Sequence, residues 1–170
     1  MIADVAVIGG GAAGLAAACC AAGRGCRTLL IERSGMLGGM ATQAHVHSIC
    51  GLYRLGASHP EYANEGFPVR FAEALAALGG ASTPTRMGRL DVLLHDPDTF
   101  AICADRIAAE QRDLEVRLHT EVASASRSPA GGRVEQLGLS CRGHHQTVAV
   151  GAVVDCSGDA ALADLAEAPY

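Results

Sequence analysis

The sequence predicts an α/β fold in which a parallel sheet carries a three-stranded antiparallel β-meander. Three observations predict it. A short apolar run, ADVAVI at 3–8, leads directly into a glycine-rich turn and then an alanine-rich stretch. A second apolar run, RTLLI at 27–31, completes a strand–helix–strand unit of about 30 residues. Near the C-terminus, runs at 121–127, 133–140 and 145–150 are separated by SPAGG and CRGH, which read as three antiparallel strands and their turns.

Each element follows from local pattern. Residues 3–8 are apolar on both faces but for one acid, as a buried parallel strand requires. The stretch after GGGAAG is rich in alanine and closes at Gly23 and Gly25, a helix with a glycine stop. Residues 33–66 carry many glycines, three of the seven histidines and no clear period, so they read as a long loop region with a short helix at most. Loops of that size in a compact domain are usually functional. Residues 67–79 form an amphipathic helix, 80–90 a turn-rich connection and 91–95 a strand. Asp96-Pro97 opens a helix that runs to about Arg112, with proline at its first position. Residues 114–119 alternate as a strand, and 152–156 form a further apolar strand before SGDAALADLAEA turns into a helix. No linker divides the 170 residues into independent domains, so 1–170 reads as one domain.

Composition excludes several functions. Apolar residues make up 49% and charged residues 18%, which rules out wholesale disorder. The net charge is −5 and all 13 basic residues are arginine. Acidity argues against nucleic acid or a polybasic membrane surface as partner. The absence of lysine removes a P-loop lysine, a Schiff-base lysine and a lysine general base. Aromatic residues are 4% with no tryptophan, which leaves no stacking platform for single strands. Seven scattered cysteines with no C-x-x-C read as reduced, buried side chains of a cytoplasmic protein. No apolar run approaches the roughly 20 residues of a membrane helix.

The strongest motif is Gly9-x-Gly11-x-x-Gly14, which follows a strand and opens a helix, with Glu32 at the tip of the next strand. That context makes it a dinucleotide fingerprint of a Rossmann-like FAD/NAD(P)-binding domain. Gly9 allows the tight turn, Gly11 lets backbone approach a pyrophosphate, and Gly14 lets helix and strand pack closely. The amides of Ala12, Ala13 and Gly14 face the phosphates at the helix start. Glu32 accepts hydrogen bonds from ribose hydroxyls and repels a 2′-phosphate, which disfavours NADP. The fingerprint does not by itself separate NAD from FAD. The following segment, Arg33 to Thr42, does: Gly38 and Gly39, with Met40 and Ala41, form a glycine-rich stretch where an NAD domain would enter its next crossover. Such a loop extends a backbone cradle toward the rest of a larger cofactor.

These residues resemble a known family. DVAVIGGGAAGLAAA and TLLIERSGMLGGMAT are similar to the N-terminus of the FAD-dependent oxidoreductases with a glutathione-reductase-like FAD-binding fold. HDPDTFAICADRIAAE, EVRLHTEVASASR and AVVDCSGDAALADLAEAPY continue the likeness. The resemblance implies FAD as cofactor, with the first motif, Glu32 and Arg33 on its ADP half and the Gly38–Ala41 loop over the pyrophosphate and ribityl region. It implies that the backbone of Val122 holds the adenine. It also implies that Ser157 and Gly158 approach the cofactor closely and that Asp159 bonds a sugar or ribityl hydroxyl. The likeness covers essentially the whole chain but only the first third to half of the family's usual length, so the resemblance implies a truncated FAD-binding domain with the substrate domain expected to be absent.

No catalytic residue stands out. His45 and His47 lack a third ligand nearby, so no metal site is expected. Cys50 has no partner cysteine within five residues, which excludes dithiol chemistry. Cys19 and Cys20 read as core, Cys156 as packing, and His144 and His145 as a solvated hairpin tip. No G-x-S-x-G elbow is present, so a serine hydrolase is excluded. The leading reading is an FAD-dependent oxidoreductase that transfers hydride between a small organic substrate and flavin. The alternative is a non-catalytic nucleotide-binding fragment or subunit completed by a partner chain or a missing C-terminal region. An NAD-dependent Rossmann enzyme is a third reading, opposed by the long loop after Arg33 and by the meander.

Overall fold

The computed structural model describes residues 2–129 and 132–168. The chain divides into two compact units, one built from residues up to Leu37 and from Ala108 onward, the other from Gly38–Ile107. The sequence shows no linker because the second unit is inserted within the first, leaving at a glycine pair and returning inside a helix.

The first unit holds β1 (Ile2–Ile8), α1 (Ala12–Ala22), β2 (Thr28–Ile31), β6 (Leu114–Arg117), β7 (Glu121–Arg127), β8 (Val134–Cys141), β9 (His144–Asp155) and α4 (Ala161–Leu165). The second holds β3 (Ser48–Ile49), α2 (Phe67–Ala77), β4 (Thr85–Met87), β5 (Leu90–Leu94) and most of α3 (Pro97–Ala109). The first unit's six strands lie in the order β6-β2-β1-β9-β8-β7. β6, β2, β1 and β9 run parallel, and β9, β8 and β7 form the antiparallel meander.

Two faces of the parallel strands are buried, as their unbroken apolar runs require. Ala6, Ile8, Leu29 and Ile31 point to one face and share a core with Leu137, Leu139, Val148 and Leu162. Val7 and Leu30, one residue out of phase, are buried on the other face, where α1 packs through Leu15, Ala18, Cys19 and Ala22. Small side chains bring α1 close to the sheet. Cys19 is buried, but Cys20 is exposed, contrary to expectation, because adjacent helical residues point about 100° apart.

The two strands expected at 145–150 and 152–156 are one strand, β9. It changes partner at Ala149, which lies opposite Gln136 of β8 and Ile2 of β1. Gly151 reads as a break in sequence. In the structure it is a close approach: a Cβ there would lie 2.6 Å from the Asp4 carbonyl oxygen of β1. The Gly151 carbonyl accepts from the Arg133 guanidinium, Nε at 2.9 Å.

The CRGH hairpin forms as read: Cys141 pairs with His144, and Arg142 and Gly143 between them have φ of 48° and 82°. Of the SPAGG turn, Ala130 and Gly131 lie outside the described residues, as do Pro169 and Tyr170.

In the second unit β3, β5 and β4 form a small antiparallel sheet. Sequence reading found β5 but not β4, whose three residues lie within the turn-rich connection. Leu52, Tyr53, Ala72 and Leu93 form its core. α3 starts as expected, with the Asp96 carboxylate accepting from the Thr99 amide at 2.8 Å. Among the described residues no helix is long and apolar enough to cross a membrane.

Arg142 holds the left-handed conformation at the first position of a two-residue hairpin, where asparagine is preferred. Arg142→Asn is expected to raise stability by roughly 0.5–1 kcal/mol, measured as a higher urea midpoint at unchanged slope.

Candidate functional site

The carboxyl ends of β1, β2 and β9 lie side by side, and the turns that leave them form a cleft. The turn after β1 is set by glycine. Gly9 has a φ of 98°, and a Cβ on it would collide with the Cys156 carbonyl oxygen. A Cβ on Gly14 would run into the Gly9 carbonyl oxygen. Both glycines are therefore required by contact. Gly11 differs: it is the N-cap of α1 with φ of −69°, open to any residue, so glycine contributes only the lack of a side chain there. No side chain caps α1 and no acid occupies its first turn, which leaves the N-terminal amides of Ala12, Ala13 and Gly14 to a ligand.

Glu32 directly follows β2 and is buried, 6% exposed. Its carboxylate accepts the Gly10 amide at 2.6 Å and the Ser34 amide at 2.7 Å. A buried carboxylate is tolerated only when bonded in this way. The two bonds leave half of its roughly four acceptor positions for hydroxyl donors. A side chain on Gly10 would crowd this acid, its Cβ lying 2.6 Å from Leu37 and 3.2 Å from Glu32 Oε2. The sequence motif treats that position as variable, and only the structure shows why it is glycine here.

The cleft is lined by Gly9, Glu32, Arg33, Val122, Ser157 and Asp159, six residues singled out in the sequence from segments more than 120 positions apart. Arg33 and Asp159 approach to 3.9 Å with both side chains largely exposed. β1 lies between their strands, so the pair reaches over its end. Gly158, with φ of 87°, sits between two lining residues. Thr120, Glu121, Ala161, Leu162 and Leu165 also line the cleft and were not found from sequence. Thr120 is buried and donates its amide to the Glu32 carbonyl oxygen at 3.0 Å. Nothing in a lone threonine after a strand signals that bond. Cys156 is a thiol by environment: burial pushes its pKa up and the Asp155 charge adds to the effect, which agrees with packing rather than nucleophilic chemistry.

Gly38, Gly39, Met40 and Ala41 belong to the second unit, where they make their own tight turn. Gly38 and Gly39 have φ of 109° and 53°. The Ala41 amide donates to Gly38 and the Thr42 and Gln43 amides donate to Gly39, so these three serve the turn itself. Met40 is 67% exposed. His45 and His47 are exposed with ring centroids 6.2 Å apart. Among the described residues no group of three or more His, Cys, Asp or Glu is placed to hold a metal ion.

With this geometry in view, the sequence matches the family model of FAD dependent oxidoreductases over residues 4–170. The chain belongs to the FAD dependent oxidoreductase family. Comparison with curated protein sequences finds no match. Among solved structures the chain is similar to THI4 from Thermovibrio ammonificans, at 20% identity and TM-score 0.60, covering 91% of this chain and 57% of that one. It is similar to GidA from Aquifex aeolicus, at 20% identity and TM-score 0.60, covering 90% and 24%. It is also similar to Sdh1 from Mycobacterium smegmatis, at 15% identity and TM-score 0.64, covering 91% and 33%. These likenesses establish the fold, and the chain spans little more than half of THI4 and less of the others.

The sequence places His95 at the end of an expected strand and gives it no role. His95 is buried, and neither ring nitrogen has a hydrogen-bond partner. Its ring lies against Phe100, with centroids 4.9 Å apart.

Two outcomes follow from these contacts. Gly14→Ala is expected to cost about 1–3 kcal/mol, because helix and turn must separate, read as a lower denaturation midpoint. His95→Leu is expected to stabilise by about 1 kcal/mol, since it removes unsatisfied buried nitrogens; thermal unfolding reads it, and a lowered Tm would show that the ring is satisfied.

Proposed function

We propose that the cleft of the first unit binds FAD, and that the chain supplies the nucleotide-binding part of an oxidoreductase that moves hydride between a small organic substrate and flavin. The observation that carries this reading is Glu32, a buried carboxylate held by the Gly10 amide and turned into the cleft that Val122 and Asp159 also line.

The residues fit the cofactor. The uncapped α1 amides suit a pyrophosphate, and the contacts at Gly9 and Gly14 hold that turn where a side chain would close it. Glu32 keeps acceptor capacity for two vicinal ribose hydroxyls. Val122 opens the meander beside it and offers backbone to an adenine edge. Ser157, Gly158 and Asp159 bring a hydroxyl, an open backbone and a carboxylate to the same cleft. FAD, when bound, supplies the two-electron chemistry, and the protein supplies its position and surroundings.

A second reading is supported by the fraction of its neighbours that the chain spans, 57% of THI4 and less of GidA and Sdh1. In it the chain binds the nucleotide and works with a partner subunit or a further C-terminal region. A cytoplasmic setting belongs to the proposal as well, supported by seven free cysteines.

Titration of the purified chain with FAD, followed by flavin fluorescence, tests the proposal. Saturable, near-stoichiometric binding is expected, and Glu32→Ala is expected to weaken it by about 1.5–3 kcal/mol, the worth of hydrogen bonds to a charged group. A folded chain that takes up no FAD would overturn it.

A further inference from the structure

The turn that brings Ser157 and Asp159 to the cleft is not one that local preference would form. Gly158 has φ of 87°, and Ala160 has φ of 59°, a left-handed conformation that is unfavourable for a residue with a Cβ. Something must hold the chain there. The holding group is Asp155, the last residue of β9, opposite Ile8 in the parallel ladder. Its Oδ1 accepts the Ser157 amide at 2.9 Å and the Ser157 hydroxyl at 2.6 Å. Its Oδ2 accepts the Leu162 amide at 3.0 Å and the Ala163 amide at 3.1 Å. The Ser157 hydroxyl in turn accepts the Ala161 amide at 3.1 Å. One carboxylate thus spans the turn from Ser157 to Ala163.

The charge of this group is secured. Burial would raise its pKa, but the bonds from Ser157, Ala163 and Leu162 outweigh burial and hold it below the ordinary carboxylate range. Asp155 itself does not line the cleft. Ser157, Asp159, Ala161, Leu162 and Leu165, the residues its network arranges, do.

We propose that Asp155 is the positioning residue of the nucleotide cleft, acting through its four hydrogen bonds to present Ser157 and Asp159 to the adenosine half of FAD. The proposal rests on the reading of the cleft as an FAD site. It separates two acids close in sequence: Asp159 is the one that meets ligand, and Asp155 is the one that decides where Asp159 stands.

Asp155→Asn retains the shape of the side chain but turns an amide group, itself a donor, toward donor amides at one of the two positions. The full chain is titrated with FAD and separately with ADP, well below the unfolding temperature, with circular dichroism as the check on folding. Wild type is expected to bind both. Asp155→Asn is expected to weaken both by about tenfold, since charge-assisted bonds are roughly twice as strong as neutral ones. Ser157→Ala is expected to weaken both by about threefold, and to add less than that in the Asp155→Asn background because the two share one network. A cap that served stability alone would lower Tm and leave the affinities of the folded protein unchanged. A folded Asp155→Asn that binds FAD and ADP within about twofold of wild type overturns the assignment. Should that variant not fold, unchanged affinity in Ser157→Ala overturns it. A wild-type chain that binds neither ligand overturns the FAD reading itself, and the role of Asp155 with it.

Discussion

The carboxylate of Glu32 ties together the part of the molecule on which everything at the cleft depends. It is buried at the end of β2, and burial of a charge is costly unless donors surround it. The donors are backbone amides, Gly10 from the turn after β1 and Ser34 from the segment after β2. The backbone of the same residue joins a third segment, with its amide bonded to the Arg117 carbonyl and its carbonyl bonded to the Thr120 amide. One residue therefore fixes the ends of β1, β2 and β6 relative to one another. The glycines follow from this arrangement. The turn passes so close to Cys156 and to Glu32 that side chains on Gly9 and Gly10 have no room.

The other wall of the cleft comes from β9, a strand with two roles. Its N-terminal half closes the meander, and its C-terminal half lies against β1 in the parallel sheet. The exchange of partners at Ala149 lets the meander share one core with the parallel strands. Leu137, Leu139 and Val148 meet Ala6, Ile8, Leu29 and Ile31 in a single cluster. Gly151 then passes close to Asp4, and Asp155 ends the strand where its carboxylate can gather the next turn. The same strand thus carries packing, register and the geometry of Ser157 and Asp159.

The second unit has its own small sheet and its own core around Leu52, Tyr53, Ala72 and Leu93. Its glycine-rich start spends three amides on a tight turn, and its one buried imidazole has no hydrogen-bond partner among the described residues. Unsatisfied buried polar groups are rare because they destabilise.

By itself the sequence determined the βαβ unit, the meander and the helices from Phe67 and Pro97, and it pointed to most of the candidate site. These are short-range signals: apolar runs, glycine stops, an Asp-Pro helix start, and a glycine motif at a set distance from an acid. Gly9 and Glu32 were legible for that reason, Arg33, Val122, Ser157 and Asp159 through the family resemblance, and the structure brings all six to one cleft. Only the tertiary structure decided the rest. That β9 is one strand depends on the closeness of Asp4 to Gly151, a contact between residues 147 positions apart. That β4 exists depends on pairing with β5, since three residues carry too little pattern of their own. Thr120, Gly10 and Asp155 carry no local signature. Each matters because of a hydrogen bond or close contact to a segment that the fold, rather than the neighbouring sequence, places beside it.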